Sequence, residues 1–290
     1  MNVLVTGATG FIGSHLLQPL SQEHRVFALT RSLKQSAENR IVWIQSDLTS
    51  AAGKVDVTEK VDAVVYLAQA REYRDFPNNV WPIFDVNVKA MLALLEYARQ
   101  ANVKKFVFLS SANVYKWNRY RLSEDAPLEP NSFYARSKYM AEMLLESYAM
   151  FFNCIVLRLF TVYGPAQKGM IVQALVERVR QGRAIEVQGK HGLLLSPIYV
   201  SDVCSVIHAV LESHKPREGF HVFNVGGDET VDLCQLGHMI GSILNITPLF
   251  EFRSGNEPQG WIADNTKLKK TFNVGSFVPI DQGIRQVIYG

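Results

Sequence analysis

The chain has 290 residues, of which 48% are hydrophobic, and its formal net charge is +3. That length and composition suffice for a large buried core, with one main domain and a smaller lobe. So small a charge gives no electrostatic case for nucleic-acid binding, and no apolar run approaches the roughly 18 residues of a membrane span. The first strand begins at residue 2 and leaves no room for a signal peptide, so we expect a cytoplasmic protein with no membrane partner.

The N-terminal segment has the pattern of a strand, a glycine turn and a helix. Residues 2–6 are apolar and β-branched, Gly7, Gly10 and Gly13 follow directly, and residues 14–22 are amphipathic. Glycines in a first βα connection permit the tight turn, let the backbone approach a pyrophosphate at the helix N-terminus, and allow close helix–strand packing. The segment therefore predicts a dinucleotide site, with a plain glycine-rich loop as the alternative.

The end of the second predicted strand bears on which dinucleotide is bound. Arg31 lies 18 residues after Gly13. At this position an acidic residue accepts the ribose hydroxyls of NAD, whereas an arginine suits the 2′-phosphate of NADP. NADP is therefore favoured over NAD as cofactor. The alternative is that Arg31 stacks on adenine or points into water.

A possible acid/base site lies further along the chain. Tyr134 and Lys138 are four residues apart, and Ser111 precedes Tyr134 by 23 residues at the end of an apolar run. On a helix that spacing puts both side chains on one face, so we expect Lys138 to stand beside the phenol and to lower its pKa. Tyr134 is then the candidate proton donor and acceptor, and Ser111 can hydrogen-bond the same substrate oxygen. An exposed tyrosine with a solvated lysine is the alternative for this common pattern.

Alternating strands and helices predict an α/β fold. We expect a doubly wound parallel sheet (Rossmann), whose ligand lies outside the carboxyl ends of the strands. The expected strands are 2–6, 25–30, 41–45, 62–68, 104–110 and 153–159, and the expected helices are 12–22, 80–100, 132–151 and 168–181. The three cysteines predict reduced core thiols, and the spacing of six of the seven histidines predicts no metal site.

Taken together, these motifs resemble the extended branch of the short-chain dehydrogenase/reductase superfamily, the NAD(P)-dependent sugar-nucleotide epimerases, dehydratases and ketoreductases. The resemblance covers nearly the whole chain. It rests on the glycine turn, on the Ser111 and Tyr134-x-x-x-Lys138 motifs, and on segments 47–48, 66–68, 157–165, 199–203 and 223–226.

The resemblance implies a division of the chain and a set of binding residues. A Rossmann domain is expected over 1–163, with a returning segment at about 198–225, and a smaller C-terminal substrate-binding lobe over 164–197 and 226–290. The catalytic residues are Ser111, Tyr134 and Lys138, and Asn113, Tyr163 and Arg253 are expected at the substrate. Cofactor contacts are expected from Gly7, Thr9, Gly10, Phe11, Ile12, Gly13, Arg31, Asp47, Leu48, Leu67, Ala68, Gln69, Asn87, Ser110, Tyr134, Lys138 and Phe160.

The resemblance also narrows the reaction. Dehydratases of the family carry Thr-Asp-Glu in the Ser111 segment, whereas this chain has Ser111-Ala112-Asn113, so dehydration is disfavoured. What remains is hydride transfer at C4 of a nucleoside-diphosphate sugar, as a 4-keto reduction or a 4-epimerisation. Because reductases draw on NADPH, Arg31 favours reduction.

Asp47 is expected to contact the adenine of the cofactor, with a helix N-cap role as the alternative.

Departures from the family pattern leave other readings open. Leu195-Ser196-Pro197 replaces a segment that usually has a diphosphate-binding arginine, so Arg253 is the remaining candidate for that contact. A ketone or alcohol without a nucleotide is therefore an alternative substrate. Gln69 either reaches the sugar or caps a loop.

A non-catalytic cofactor sensor is disfavoured because Ser111, Tyr134 and Lys138 are all present. Related enzymes suggest a homodimer.

Overall fold

The computed structural model describes residues 1–32, 34, 40–50, 55, 57–216, 218–255 and 259–290. These residues form two compact units. The first unit consists of Met1–Val114, Leu128–Arg158 and Cys204–Phe223, and the second of Tyr115–Pro127, Leu159–Val203 and Asn224–Gly290.

The described residues form fifteen strands. They are β1 (Asn2–Thr6), β2 (Arg25–Thr30), β3 (Ile41–Gln45), β4 (Ala63–Tyr66), β5 (Lys105–Ser111), β6 (Arg121–Leu122), β7 (Asn153–Leu159), β8 (Val162–Tyr163), β9 (Ile185–Gln188), β10 (Leu194–Leu195), β11 (Ile198–Tyr199), β12 (Phe220–Val225), β13 (Val231–Asp232), β14 (Phe250–Arg253) and β15 (Gly260–Ala263).

Nine α-helices lie in the same described ranges. They are α1 (Phe11–Glu23), α2 (Val80–Phe84), α3 (Ala90–Gln100), α4 (Phe133–Glu146), α5 (Ile171–Arg180), α6 (Val200–Glu212), α7 (Leu233–Leu244), α8 (Thr266–Thr271) and α9 (Ile280–Tyr289). A π-helical turn, Asp85–Lys89, joins α2 to α3, and a 3₁₀ turn, Ala112–Val114, follows β5. None of the helices described is long and apolar enough to cross a membrane.

A parallel sheet of seven strands forms the framework, in the order β12-β7-β5-β4-β1-β2-β3. All four residues of β4 and the last four of β1 are buried, as expected for strands covered on both faces. The chain moves from β1 outward through β2 to β3, then returns to β4 on the other side of β1. This reversal of strand order is where doubly wound folds bind ligands. The predicted fold class is confirmed.

The core of the first unit lies where aromatic side chains from β4 and β5 meet the buried face of α3. Tyr66 stacks with Phe106 and meets Phe108 edge-on, while Met91 and Leu94 are fully buried in the same cluster. The apolar residues of α3 recur at helical spacing and face this cluster, so burial of one face holds the helix on the sheet.

The second unit has its own core and its own small sheets. Strands β13, β10, β15 and β6 form one sheet, and β9 pairs in parallel with β14. The sequence placed residues 115–127 in the Rossmann domain, but they group with the second unit because β6 pairs with β15. The boundary after β7 also falls at residue 158 instead of 163.

The structure agrees with the predicted strands and changes two of the predicted helices. All six strands are present, with ends that differ by at most two residues. The expected helix 80–100 is interrupted by the π-helical turn, and the expected helix 132–151 ends at Glu146. Beyond Glu146, the Tyr148 amide bonds Leu145 O and the Ala149 amide bonds Glu146 O, so turns with i→i+3 bonds replace the α-helical pattern.

We expect Gly13→Ala to destabilise the protein. An added Cβ would lie 2.3 Å from the carbonyl oxygen of Gly7 and 2.8 Å from the backbone of Ala8, so α1 must move away from β1. Overpacking of this kind costs about 1–3 kcal/mol, offset in part by the better helix propensity of alanine. Urea unfolding measures the change. Gly275→Ala is the control, because its Cβ would meet no atom within 4 Å. Equal midpoints for both variants would contradict this packing.

Candidate active site

The candidate site is built at the carboxyl ends of β1, β4 and β5. Thr6, the last residue of β1, is in register with Tyr66 of β4, and Tyr66 is in register with Phe108 of β5. The Thr6 hydroxyl accepts a hydrogen bond from the Ala68 amide at 3.1 Å. The loop after β4 is thereby tied to the glycine turn after β1.

The glycine turn has the form of an anion-binding loop. Gly7 has a φ of +65°, and its carbonyl accepts from the Gly10 amide at 2.9 Å. Gly10 is the N-cap of α1 and gives no side-chain cap, and the first turn of α1 carries no acidic residue. Since the helix N-terminus is positive and uncapped, the turn fits the phosphates of a dinucleotide.

The other predicted cofactor residues of the first unit have mixed environments. Thr9 and Arg31 are exposed, whereas Phe11, Ile12 and Leu67 are half-buried. The predicted cofactor residue Leu48 packs against the hydrophobic core of the first unit.

The Asp47 carboxylate caps the turn that follows it. Its Oδ1 accepts from the Thr49 amide and hydroxyl, and these bonds lower the pKa of Asp47. Oδ1 of Asp47 therefore has the capping role that was the alternative, and its contact with adenine stays a prediction.

Tyr134 lies in the first turn of α4, close to Ser111. The helix begins after Ser132, whose hydroxyl accepts from the Ala135 amide at 3.1 Å. The phenol of Tyr134 donates to Gln69 Oε1 at 3.1 Å, and the side chain of Ser111 is close enough to influence the pKa of that phenol. The structure therefore brings Ser111, Tyr134 and Gln69 together.

Two residues of the loop after β4 also act on the phenol. The ring of Tyr73 lies 4.6 Å from the ring of Tyr134, and the guanidinium of Arg74 lies 5.2 Å over Tyr73. Burial is the main influence on the pKa of Tyr134 and raises it; the Ser111 hydrogen bond and the charge of Arg74 act in the opposite direction. Sequence analysis did not identify Arg74, although Arg71 and Arg74 both stand in the segment that follows the fourth expected strand.

Lys138 occupies a different position from the one expected. Its ammonium donates to the Leu109 carbonyl at 2.9 Å and lies 5.0 Å over the ring of Phe108. Burial lowers the pKa of Lys138 to about 7, and the nearby Glu142 carboxylate opposes that shift. The expectation that Lys138 lowers the pKa of Tyr134 was therefore wrong for this arrangement, because burial of the phenol dominates.

Asn87 and Ser110 are buried and hydrogen-bonded inside the first unit. The Asn87 amide group donates to the Ser137 hydroxyl at 2.9 Å and accepts from the Ala70 amide at 3.4 Å. Asn87 sits within the π-helical turn. The Ser110 hydroxyl donates to Glu142 in the core, so its side chain is committed there. Asn113 is half-buried and follows in the 3₁₀ turn, where its backbone amide donates to the Ser111 hydroxyl.

Three other predicted residues belong to the second unit. The side chain of Tyr163 is 1% exposed and packs against Tyr199 and Gly283, so it serves the core and leaves no exposed ring for a substrate. Phe160 is buried beside Gly226.

Arg253, the remaining candidate for the diphosphate, ends β14 on the surface of the second unit. It is 56% exposed and ion-paired with Glu186 and Glu251. Such exposed pairs are weak, so Arg253 can exchange them for a phosphate. Asn256, three residues after Arg253, lies outside the described residues.

A parallel sheet with a glycine turn and a nearby Ser–Tyr–Lys set is typical of enzymes of the extended short-chain dehydrogenase/reductase type. Residues 3–226 match the NAD dependent epimerase/dehydratase family. The chain belongs to this family, whose members among its relatives are NAD-dependent sugar-nucleotide epimerases and dehydratases.

Relatives cover nearly the whole chain. A Bacillus subtilis protein described as an uncharacterized UDP-glucose epimerase is 30% identical over 99% of this chain and 97% of its own. The UDP-glucuronate 4-epimerase of Thermodesulfobacterium geofontis is 25% identical over 98% and 94%. The solved UDP-glucuronic acid 4-epimerase of Bacillus cereus, in complex with UDP-glucuronic acid and NAD, has a TM-score of 0.84 and 25% identity, covering 99% of this chain and 98% of its own.

We expect Lys138→Met to change how stability depends on pH. Between the folded-state pKa of about 7 and the ordinary value of 10.5, the unfolded chain keeps a proton on Lys138 that the folded chain releases. Stability of the wild type therefore rises with pH in that window, by at most about 1.4 kcal/mol per pH unit from this group, and the variant lacks this contribution. Urea unfolding from pH 7 to 10 measures it.

The matched control is Lys60→Met, which replaces a lysine whose side chain is 71% exposed. This control should retain the wild-type slope. Parallel curves for wild type and Lys138→Met would contradict the assignment of a lowered pKa to Lys138.

Proposed function

We propose that the protein is a 4-epimerase of nucleoside-diphosphate sugars, acting on a UDP-linked hexose or hexuronic acid. The observation that carries this proposal is the phenol of Tyr134, placed with Ser111 at the carboxyl edge of a sheet that also presents an uncapped glycine turn. The 4-epimerases among the relatives support epimerisation at least as well as reduction. Reduction, which the sequence favoured, becomes the second candidate.

The chain supplies acid/base groups for a reaction at C4. Once deprotonated, Tyr134 would accept the proton of the sugar 4-hydroxyl and return it, while Ser111 would hold the same oxygen. The phenol now donates to Gln69, so an incoming sugar hydroxyl replaces Gln69 as its partner. Gln69 is thereby available to accept a hydrogen bond from the sugar instead.

The nicotinamide dinucleotide, when bound, supplies oxidation and reduction at C4. The glycine turn would hold its phosphates, and Lys138 would hold its ribose. Solved relatives contain NAD, which makes NAD the cofactor we propose for turnover. Arg31, an exposed cation at the ribose-discriminating position, supports binding of NADP as well, and this is the observation that keeps a reductase as second candidate.

The remaining assignments are proposals of the same kind. The first unit would bind the dinucleotide and the second the sugar nucleotide, with Arg253 at the diphosphate. A homodimer through α3 and α4 is supported by the exposed side chains of Leu92, Met140 and Met143, and sedimentation analysis tests it.

The NAD-loaded protein should convert UDP-glucuronic acid or UDP-glucose to its C4 epimer without net change in NADH absorbance. Tyr134→Phe should slow this conversion by about 10²–10⁴-fold with little change in NAD affinity, because only an exchangeable proton is lost. Tyr97→Phe, at a partly buried tyrosine on α3, is the control and should keep wild-type activity. Chromatography of the sugar nucleotides and calorimetry with NAD provide the two measurements.

Different results separate the candidates. Net NADPH consumption with a nucleotide-linked 4-keto sugar, and no epimer from any UDP-sugar, would establish the reductase instead. Activity of Tyr134→Phe within about threefold of wild type would remove Tyr134 from the mechanism. Absence of binding by UDP, dTDP, GDP and CDP at millimolar concentration would exclude a sugar-nucleotide substrate.

Arg31→Asp should weaken NADP binding far more than NAD binding. It replaces a partner of the 2′-phosphate by a repelling carboxylate, and a charged hydrogen bond of about 1.5–3 kcal/mol corresponds to a ten- to hundredfold change in preference. Calorimetric titration with both nucleotides measures the ratio. An unchanged NAD/NADP ratio in the variant would show that Arg31 does not contact the ribose phosphate.

A further inference from the structure

A cluster of histidine and glutamate side chains lies at the C-terminal ends of α1 and α6, within the first unit. Glu23 ends α1 and His24 follows it, while His208 lies on α6 and Glu212 ends that helix. One ligand atom each from Glu23, His24 and His208 lies within 4.8 Å of the others. The thirteen-residue helix α1 is about 20 Å long, and this cluster is at the opposite end from the glycine turn.

The distances within the cluster match the edges of a metal coordination polyhedron. His208 Nε2 lies 3.3 Å from Glu23 Oε2, and His24 Nε2 lies 3.3 Å from Glu212 Oε1. A tetrahedral site with metal–ligand bonds of about 2.0–2.1 Å has ligand–ligand edges of about 3.3–3.4 Å. The edge between Glu23 and His208 is therefore already at the length that a bound cation requires.

His24 gives a second and independent indication. Its side chain is 3% exposed, and within the described part of the chain its Nε2 is buried without a hydrogen bond, despite the proximity of Glu212. A buried polar nitrogen that makes no hydrogen bond is costly. A metal ion at the cluster would give this nitrogen a bonding partner.

We propose that Glu23, His24 and His208 form a three-ligand binding site for a divalent transition-metal cation such as Zn²⁺, with water completing its coordination. Two imidazole nitrogens with a carboxylate oxygen suit Zn²⁺ or Co²⁺ and are a poor match for Ca²⁺ or Mg²⁺, which prefer oxygen ligands. The cation would join the end of α1 to α6, because Glu23 and His24 lie at the end of α1 and His208 lies on α6. The histidine spacing did not reveal it, since residues 24 and 208 meet only through the fold.

The test uses the full-length protein after dialysis against a chelator. Co²⁺ titration should give one equivalent bound, with the visible absorption of a tetrahedral site, and Zn²⁺ should displace it and raise the midpoint of thermal unfolding. His208→Gln and Glu23→Gln alter half-exposed and exposed ligands, so both variants should fold. Each should weaken Co²⁺ binding by about tenfold or more, because a ligand is lost.

His191→Gln is the matched control, since His191 is 55% exposed and pairs with Asp232 outside the cluster. It should leave Co²⁺ affinity unchanged. No cobalt absorption and no effect of excess Zn²⁺ on unfolding would overturn the proposal and leave two histidine–glutamate pairs. Equal Co²⁺ affinity in wild type and His208→Gln would also overturn it.

Discussion

The buried carboxylate of Glu142 is the interaction on which the candidate site most depends. It lies on α4 one turn beyond Lys138, is 2% exposed, and accepts from Arg158 of β7 and from the Ser110 hydroxyl of β5. Removing one partner of such a buried pair typically costs about 3–5 kcal/mol, because an uncompensated charge remains. The pair thus fixes α4 against two neighbouring strands, and this sets the position of Tyr134 relative to Ser111.

The π-helical turn between α2 and α3 provides the second attachment of the same helix. The extra residue in the turn places Asn87 where its side chain bonds both the loop after β4 and Ser137 of α4, and Ser137 in turn bonds the Tyr134 carbonyl. The Tyr66 hydroxyl donates to the Val86 carbonyl within the turn. π-helical turns are often found at functional sites. Here the turn joins the loop that carries Gln69 to the helix that carries Tyr134.

The sheet was predictable from the sequence because each strand is a short apolar run bounded by turn residues, and the glycine turn requires a strand before it and a helix after it. The π-helical turn was not, since one inserted residue barely changes the apolar pattern of residues 80–100. Tyr163 was assigned to the substrate from its motif, but its ring packs in the core against Gly283, where any side chain would overlap the ring. Contacts such as Gln69 with Tyr134 join residues 65 apart in sequence, which no local period encodes.

The environment of the phenol shows why the Tyr-x-x-x-Lys spacing alone does not determine its chemistry. Helical geometry places Lys138 on the face of Tyr134, yet its ammonium is held by the Leu109 carbonyl, and the cation that acts on the phenol is Arg74 from the loop after β4. Burial raises the pKa of Tyr134, so the phenol is protonated and donates a hydrogen bond to Gln69. Since a protonated phenol is an acid, the resting protein is prepared for donation. Acceptance of a proton requires more positive charge near the phenol, or a partner that donates to it where Gln69 now accepts.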